Sequence, residues 1–415
     1  MKTNGKIQLY PMVRMSVLLI LGMVMAYYTF SHIPSWLWLG GALVLLLMTT
    51  LVRQELRQSV VVMLLVFLLG GCLMSRSLLL ASSPTDTIET SPSMTQRAQA
   101  NALELRNQLV NTLSDKGLGQ QELAVVSAMT LGDKSLIDKD LKNDYSRSGA
   151  SHVLALSGLH LGTIYFVFSF MTARWRRRYH HWSRPVSEGL ILITMWSYVV
   201  LVGMSPSVVR AAIMMTVYSL LSLQNRNRSS LNALAFTAII MLVADPMILF
   251  NISFQLSFVA VAFILLYQGR IYSLIPSSTH PIVKWCWRFL SVSLAAQLGV
   301  APLTAYYFHQ IPSYFLLSSL VVMVFTPLII YLSLLFFLLM WLPVVQSWLV
   351  VTLSWLVHIQ NTCLQGVSSL SGSTIVTPSL HPLQVCLIYI IIFAVDAMIY
   401  RFRLYKRNII SNFAS

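Results

Sequence analysis

Charged side chains are scarce in this sequence. Of its 415 residues only 10% are Asp, Glu, Lys or Arg, whereas 56% are hydrophobic. A soluble domain carries roughly a quarter charged residues, so this chain has too little charge to cover a surface that faces water. The composition excludes a soluble enzyme domain of any size and indicates a protein whose main solvent is lipid.

The local motifs of several enzyme classes are also missing. The sequence has no GxxxxGK[ST] loop to cradle nucleotide phosphates, and no HExxH or comparable His/Asp cluster to bind a catalytic metal. Its four cysteines form no CxxC pair, so neither a zinc site nor a disulfide framework is expected. We therefore expect no cofactor, no metal and no enzymatic activity.

Apolar runs fill most of the chain instead. About twelve of them approach the ~20 residues that a spanning helix needs. They lie at roughly 16–32, 36–52, 60–80, 150–173, 187–204, 207–223, 231–249, 252–268, 289–307, 313–340, 344–367 and 384–400. None has the strict alternation of a membrane β-strand. The sequence thus predicts an all-α fold, a polytopic transmembrane helical bundle of about twelve spans.

The placement of positive charge predicts the orientation of these spans. The net charge is +15, and most of the 28 Lys and Arg residues fall on one side when the spans are threaded from a cytoplasmic N-terminus. Cytoplasmic loops collect Lys and Arg, and the densest group lies at 174–178. We expect a multi-pass protein of the cell inner membrane with both termini in the cytoplasm. Most of the positive charge is then explained by the orientation of the spans, and it does not indicate a surface that binds nucleic acid.

The chain divides into four parts. Residues 1–80 hold three N-terminal spans, 81–149 form a short extracytoplasmic segment, 150–340 hold the central spans, and 341–415 hold the last spans and a basic cytoplasmic tail. Within 81–149, apolar residues at three- and four-residue intervals predict an amphipathic helix, and a second helix at 121–131 ends at Gly132. This segment either packs on the bundle or membrane surface or merely tethers two spans.

Polar residues cluster inside three of the apolar runs. Ionisable groups in a membrane cost roughly 2.5–3.5 kcal/mol on insertion scales and mark candidate functional sites. The candidates are His152, Ser157, Gly158 and His160 in the first cluster, Ser205, Pro206, Ser207 and Arg210 in the second, and Asp245, Phe254 and Gln255 in the third, with Gln297 beyond. On one continuous helix His152, Ser157 and His160 would share a side. Together these residues suggest a polar pathway.

Alternative interpretations of these residues stay open. Any one polar side chain here is more often a packing residue than a site, and Arg210 is as well explained by snorkelling to the interface. Ser157 and His160 resemble the pair of an intramembrane serine hydrolase, although a GxSG elbow would need Gly where Ala155 stands. A transporter of another polar substrate would use the same stripe.

The motifs resemble those of one known family. The run Ser148-Gly149 to His152-Val153-Leu154-Ala155-Leu156-Ser157-Gly158-Leu159-His160 resembles the "sG…HllAiSGlHv" signature of ComEC-type competence proteins. The run from Ser205 to Met214 is similar to that family's "SpSvvRAaiM" segment, and Asp245-Pro246 with Phe254-Gln255-Leu256-Ser257 matches its "dP…FqLSf" element. Leu131-Gly132-Asp133 resembles its "lGdrs" turn. The four motifs occur in the family's order.

The resemblance implies a function and partners. It implies an inner-membrane channel through which single-stranded DNA enters the cytoplasm during natural transformation. It also implies separate DNA-receptor and cytoplasmic motor proteins as partners, besides membrane lipid. Aromatic side chains such as Phe254 would then offer faces on which bases stack.

The sequence departs from the family's pattern in four respects. Family members commonly carry an extracytoplasmic OB-like domain before the helical core, and 81–95 is too short to contain one. Many also carry a C-terminal metallo-β-lactamase-like domain, whereas this sequence ends soon after Arg407. Asn251 stands where an aspartate is common, and Ser318-Ser319 stand where the family usually has asparagine.

Overall fold

The computed structural model describes residues 10–30, 33–51, 55–82, 94–156, 158–178, 183–223, 230–276 and 279–413. Within them the chain forms sixteen α-helices. They are α1 (Pro11–Thr29), α2 (Ser35–Leu51), α3 (Glu55–Ser82), α4 (Met94–Asp115), α5 (Gln120–Val126), α6 (Lys139–Ser148), α7 (Ser151–Leu154), α8 (Gly158–Arg178), α9 (Ser183–Leu201), α10 (Pro206–Leu223), α11 (Ser230–Ala244), α12 (Ile252–Tyr272), α13 (Pro281–Phe308), α14 (Phe315–Leu338), α15 (Pro343–Ser368) and α16 (Pro382–Phe413).

Short elements of other kinds link some of these helices. A π-helical turn, Ser127–Leu131, continues α5, and a 3-10 turn, Pro246–Phe250, follows α11. Two strands, β1 (Gln310–Pro312) and β2 (Thr374–Val376), pair antiparallel with Ile311 opposite Ile375. The prediction of an all-α fold is confirmed apart from this small ribbon.

Six helices of the described residues are long and apolar enough to cross a membrane, judged by length and composition. These are α1, α3 from Arg57, α12, α13, α14 and the Pro382–Ile399 part of α16. Five shorter apolar stretches lie in α2, α8, α9, α10 and α11. The chain is therefore a helical membrane protein. Each of the twelve predicted spans overlaps a helix, but the number twelve stays a prediction.

Two of the predicted spans are not continuous α-helices over their predicted lengths. The run 150–173 is not one helix, because the backbone of Ala155 is extended (φ −96°, ψ 125°) and separates α7 from α8. The run 231–249 ends as an α-helix at Ala244. Pro246 disfavours the helical conformation of the residue before it, and Asp245 accordingly has φ −144° and ψ 98°.

The first three helices pack as one group through glycines. A Cβ atom placed on Gly22 of α1 would lie 1.9 Å from the carbonyl oxygen of Phe67, and one on Gly70 of α3 would lie 2.2 Å from that of Leu19. Helix backbones approach this closely in membranes only where residues are small. Met23, Trp38 and Met74 fill the core of this group.

The segment 94–149 packs on the bundle. Leu113 of α4, Val125 of α5, Met129 of the π-helical turn and Tyr145 of α6 are buried in one cluster with side chains of α14 and α15. Tyr145 Oη also donates to Oδ1 of Asn361 in α15, at 2.7 Å. The alternative of a mere tether is therefore wrong for these residues. Gly132 ends the π-helical turn with φ 74°, as predicted for a C-cap.

Candidate polar site at the interrupted helix

The interruption between α7 and α8 is held by packing on both sides. Gly149, with φ 84°, ends α6 and leaves no room for a side chain, since its Cβ would lie 2.9 Å from Cγ of Pro312. After the extended Ala155, Leu156 is buried against the turn at Gly132. A Cβ on Gly132 would lie 2.6 Å from Leu156 Cδ1 and 3.0 Å from the carbonyl oxygen of Val202. The geometry of this break thus depends on two glycines, Gly149 and Gly132, at which a side chain has no space.

Glycines also bring the start of α8 against α10. A Cβ on Gly158 would lie 3.3 Å from Ala211 Cβ and 3.8 Å from Nη2 of Arg210, and one on Gly162 would lie 3.4 Å from Met215 Cε. Gly158 and Gly162 are one turn apart, as are Ala211 and Met215, so these faces of the two helices are in contact. The N-terminus of α8 therefore lies beside the guanidinium of Arg210.

Arg210 is a buried cation without a carboxylate partner in the described part of the chain. Its side chain is 6% exposed and its Nε is buried without a hydrogen bond. The contact that the structure gives it is with Phe258 of α12, whose ring centroid lies 5.8 Å from Cζ. A cation over an aromatic face gains about 0.5–2 kcal/mol, which is less than the several kcal/mol that burial of a charge costs. A snorkelling arginine would be exposed, so that interpretation does not fit.

The turn before α10 has unusual backbone geometry. Gly203 and Met204 both have positive φ, 81° and 52°, and the second is rare for a residue with a side chain. Ser205 lies at the start of α10, but its Oγ is buried and makes no hydrogen bond. This hydroxyl therefore does not cap α10. The carbonyl oxygen of Ser205 accepts from the backbone N–H groups of Val208 and Val209 instead.

Polar contacts join α10, α12 and α13 next to Arg210. Ser207 Oγ and Ser257 Oγ are 3.3 Å apart. Gln255 Nε2 donates to the carbonyl oxygen of Leu249 at 3.0 Å, and Tyr307 Oη donates to Gln255 Oε1 at 2.7 Å. Gln255 thus holds the 3-10 turn, α12 and α13 in one arrangement.

Phe254 does not offer a face for stacking bases. It is 5% exposed and lies in the core that α1–α3 share with α11 and α12. Its ring packs against Phe258, with the centroids 4.3 Å apart. Phe254 therefore supports the aromatic ring that faces Arg210, which is a packing role.

The remaining predicted residues do not all gather at Arg210. Asp245 is exposed and its Oδ1 accepts from the Met247 N–H, so it caps the 3-10 turn. Gln297 is half-buried in α13, and its Nε2 makes no hydrogen bond. Pro206 is the first residue of α10, where a proline is tolerated. Ser157 lies outside the described residues, so the hydrolase pair is not described.

The two histidines do not share a helix face. His160 is two residues after Gly158, which turns its buried side chain away from α10. His152 lies across the interruption on α7, and its Nδ1 is 3.2 Å from the carbonyl oxygen of Gly149. The side chain of His152 is exposed.

Three side-chain contacts of the structure involve residues that the sequence analysis did not select as candidates. Phe258 was missed although it lies one turn after Phe254, a spacing that could have identified it. Glu188 lies near the start of the predicted span 187–204, and it is 5% exposed. It accepts hydrogen bonds from Tyr165 Oη, at 3.1 Å, and from Ser219 Oγ, and so joins α8, α9 and α10. No sequence signal distinguishes a buried glutamate at the end of a span from a loop glutamate.

Comparison with known proteins identifies the family. The family model described as "Competence protein" matches residues 129–402, a stretch that begins in the π-helical turn and includes the interrupted helix and Arg210. The chain belongs to the Competence protein family. The resemblance inferred from the four motifs is thus confirmed. No solved structure matches this chain.

Three curated relatives are similar to about half of this chain. "ComE operon protein 3" of Bacillus subtilis is 33% identical over 208 residues, which are 50% of this chain and 25% of that protein. "Recombination protein 2" of Haemophilus influenzae is 25% identical over 229 residues, 53% of this chain and 28% of that protein. A protein of Aquifex aeolicus is 30% identical over 230 residues, 54% and 49% of the two chains. The matched stretch thus covers a quarter to a half of the length of these relatives.

Proposed function

We propose that this chain forms a path through the inner membrane by which one strand of DNA enters the cytoplasm during natural transformation. The observation that carries the proposal is Arg210, a buried cation with no acidic partner among the described residues, beside the first turn of an interrupted helix. A permanent charge at this position lowers the stability of the folded protein unless an anion binds next to it.

The surroundings of Arg210 fit a transport path. Helices interrupted within a membrane place backbone polar groups at substrate sites in many transporters. Ser205 Oγ, just before α10, and Arg210 Nε, within α10, are two buried polar atoms without a hydrogen bond. Such atoms need water or a polar substrate, because lipid supplies no hydrogen bonds.

The family and its named members support a role in competence. The chain belongs to the Competence protein family, and two relatives are named for a ComE operon and for recombination. Since the match covers a quarter to a half of those relatives, their activities come to this chain only as part of the proposal. DNA uptake is a process in which a polyanion must cross a membrane, and a buried unpaired arginine suits that substrate.

The proposal includes orientation and partners. Both termini would lie in the cytoplasm, where most Lys and Arg residues of the loops then fall. The protein would be a conduit that does not itself hydrolyse NTP at a P-loop, since the sequence has no such motif. A separate cytoplasmic motor would pull the strand, and a separate receptor would deliver it.

The test is transformation with labelled DNA in cells with and without this gene. DNA bound at the surface is scored separately from DNA that has become resistant to external nuclease. We expect surface DNA to accumulate and protected DNA to disappear when the gene is absent. Unchanged entry, in a genome without a second copy of the family, would contradict the proposal and favour a transporter of another polar substrate.

A further inference from the structure

The start of α8 and the side chain of Arg210 form two halves of one possible site. The first four N–H groups of an α-helix have no intrahelical acceptor, and they make its N-terminus attractive to anions. The Cβ position of Gly158, the first residue of α8, is 3.8 Å from Arg210 Nη2. Because Gly158 has no side chain, nothing of its own separates the helix terminus from the guanidinium.

Arg210 is held in place from the other side. The ring of Phe258 lies 5.8 Å from its Cζ, and Phe258 is in turn packed against Phe254. The side chain is 6% exposed, and its Nε has no hydrogen bond. The guanidinium is therefore positioned before any ligand arrives, which reduces the entropy lost on binding.

We propose that Arg210 and the N-terminus of α8 bind a single phosphodiester group. The identification of that group as part of a DNA strand rests on the proposed function, whereas the site itself does not. A phosphodiester carries one negative charge over two free oxygens, which suits the fork of a guanidinium and the N–H groups of a helix N-terminus. One cation against one negative charge also makes a weak site, as passage requires, since a strand that binds must also leave.

Membrane phospholipids carry the same chemical group, so the ligand has two possible sources. Strand and lipid headgroup both present a phosphodiester. The site lies beside buried residues of α8 and α10, with Ala211 and Leu161 5% and 0% exposed. A position enclosed by protein favours the strand as the source.

The experiment measures thermal unfolding of the purified full chain in a neutral detergent. Sodium dimethyl phosphate, a phosphodiester of one charge, is titrated against sodium acetate and sodium chloride at equal ionic strength. A ligand that binds the folded state alone raises the unfolding midpoint as its concentration exceeds its dissociation constant. We expect dimethyl phosphate to raise the midpoint and the other two salts not to.

The variants Arg210→Gln and Arg210→Lys test the assignment, with Arg288→Gln as a matched control. Arg288 lies over Tyr272 with the same 5.8 Å from Cζ to the ring centroid, but it is exposed. Arg210→Gln should weaken dimethyl phosphate binding by about tenfold or more, since a hydrogen bond to a charged group contributes that much. Arg210→Lys should fall between, and Arg288→Gln should bind like the parent chain.

Each other outcome overturns a defined part of the inference. An equal shift in Arg210→Gln and the parent, no shift at all, or an equal response to acetate would overturn the phosphodiester site. If added phosphatidylglycerol abolishes the shift while single-stranded oligothymidine does not, the site takes a lipid headgroup and the DNA assignment is overturned. These results come from binding to the purified protein and do not depend on DNA entry into cells. A failure of the phosphodiester site can therefore be told apart from a failure of the proposed function.

Discussion

Arg210 lies over the ring of Phe258, with 5.8 Å between Cζ and the ring centroid. The ring is the contact that the structure gives this buried cation, and it is supported by Phe254 behind it. An aromatic face orients a guanidinium without neutralising it. The charge of Arg210 therefore remains unneutralised and available to an anionic ligand.

Replacing Arg210 with methionine should raise the thermal stability of the purified protein. Removal of an unpaired buried charge relieves a desolvation cost, and we expect a gain of about 1 kcal/mol or more in the free energy of unfolding. Thermal unfolding in detergent measures the change. A loss of several kcal/mol would mean that Arg210 has an acidic or hydrogen-bonding partner, and would contradict the account.

Replacing Gly158 with valine should separate α8 from α10. The new side chain would meet Ala211 Cβ at 3.3 Å or less, and overpacking of this kind costs about 1–3 kcal/mol. We expect DNA entry to fall strongly as the helix N-terminus moves from Arg210. Gly189→Val in α9 is the matched control, because a Cβ there meets nothing within 4 Å. Equal effects of the two variants would show that helix propensity alone is responsible.

Replacing Gly132 with alanine should destabilise the turn that holds the interruption. Gly132 has φ 74°, and its new Cβ would lie 2.6 Å from Leu156 Cδ1. Gly117→Ala isolates the backbone contribution, because Gly117 has φ 89° with nothing within 4 Å. The control should cost about 1–2 kcal/mol from the left-handed backbone alone, and Gly132→Ala should cost more. Equal losses in thermal unfolding would mean that Leu156 moves away freely.

Much of this arrangement could be predicted from the sequence. The long apolar runs predict helices where the structure has them, and Gly158 and Gly162 are the small residues at which α8 packs closely on α10. The break at Ala155 could not be placed, because no proline marks it. It depends on Leu156 meeting Gly132 and Val202, which are contacts between residues far apart in the chain.

The site itself was predicted only in part. Arg210, Ser207 and Gln255 each make a contact between helices, with Phe258, Ser257 and Tyr307 respectively, and the motifs named all three. His152 and His160 were placed on one face because a continuous helix was assumed, and the interruption separates them. Asp245 caps the 3-10 turn that follows it, and its position directly before Pro246 could have indicated this role.

The hydrogen bond between Tyr307 and Gln255 should contribute measurably to the packing of α12 on α13. Tyr307→Phe and Gln255→Leu each remove it, and the double variant should show a coupling of about 0.5–1.5 kcal/mol in the free energy of unfolding. The distance of 2.7 Å from Tyr307 Oη to Gln255 Oε1 is the basis for this expectation. Strict additivity of the two single changes would contradict it.

The most direct measurement compares DNA entry in cells that carry the parent chain, Arg210→Gln or Arg288→Gln in place of the chromosomal gene. Surface-bound and nuclease-protected DNA are scored separately, and immunoblotting of membranes confirms equal amounts of each protein. The account predicts that Arg210→Gln accumulates DNA at the surface and loses protected DNA, while Arg288→Gln takes up DNA like the parent. Normal entry with Arg210→Gln at normal protein level would show that the strand does not pass this arginine.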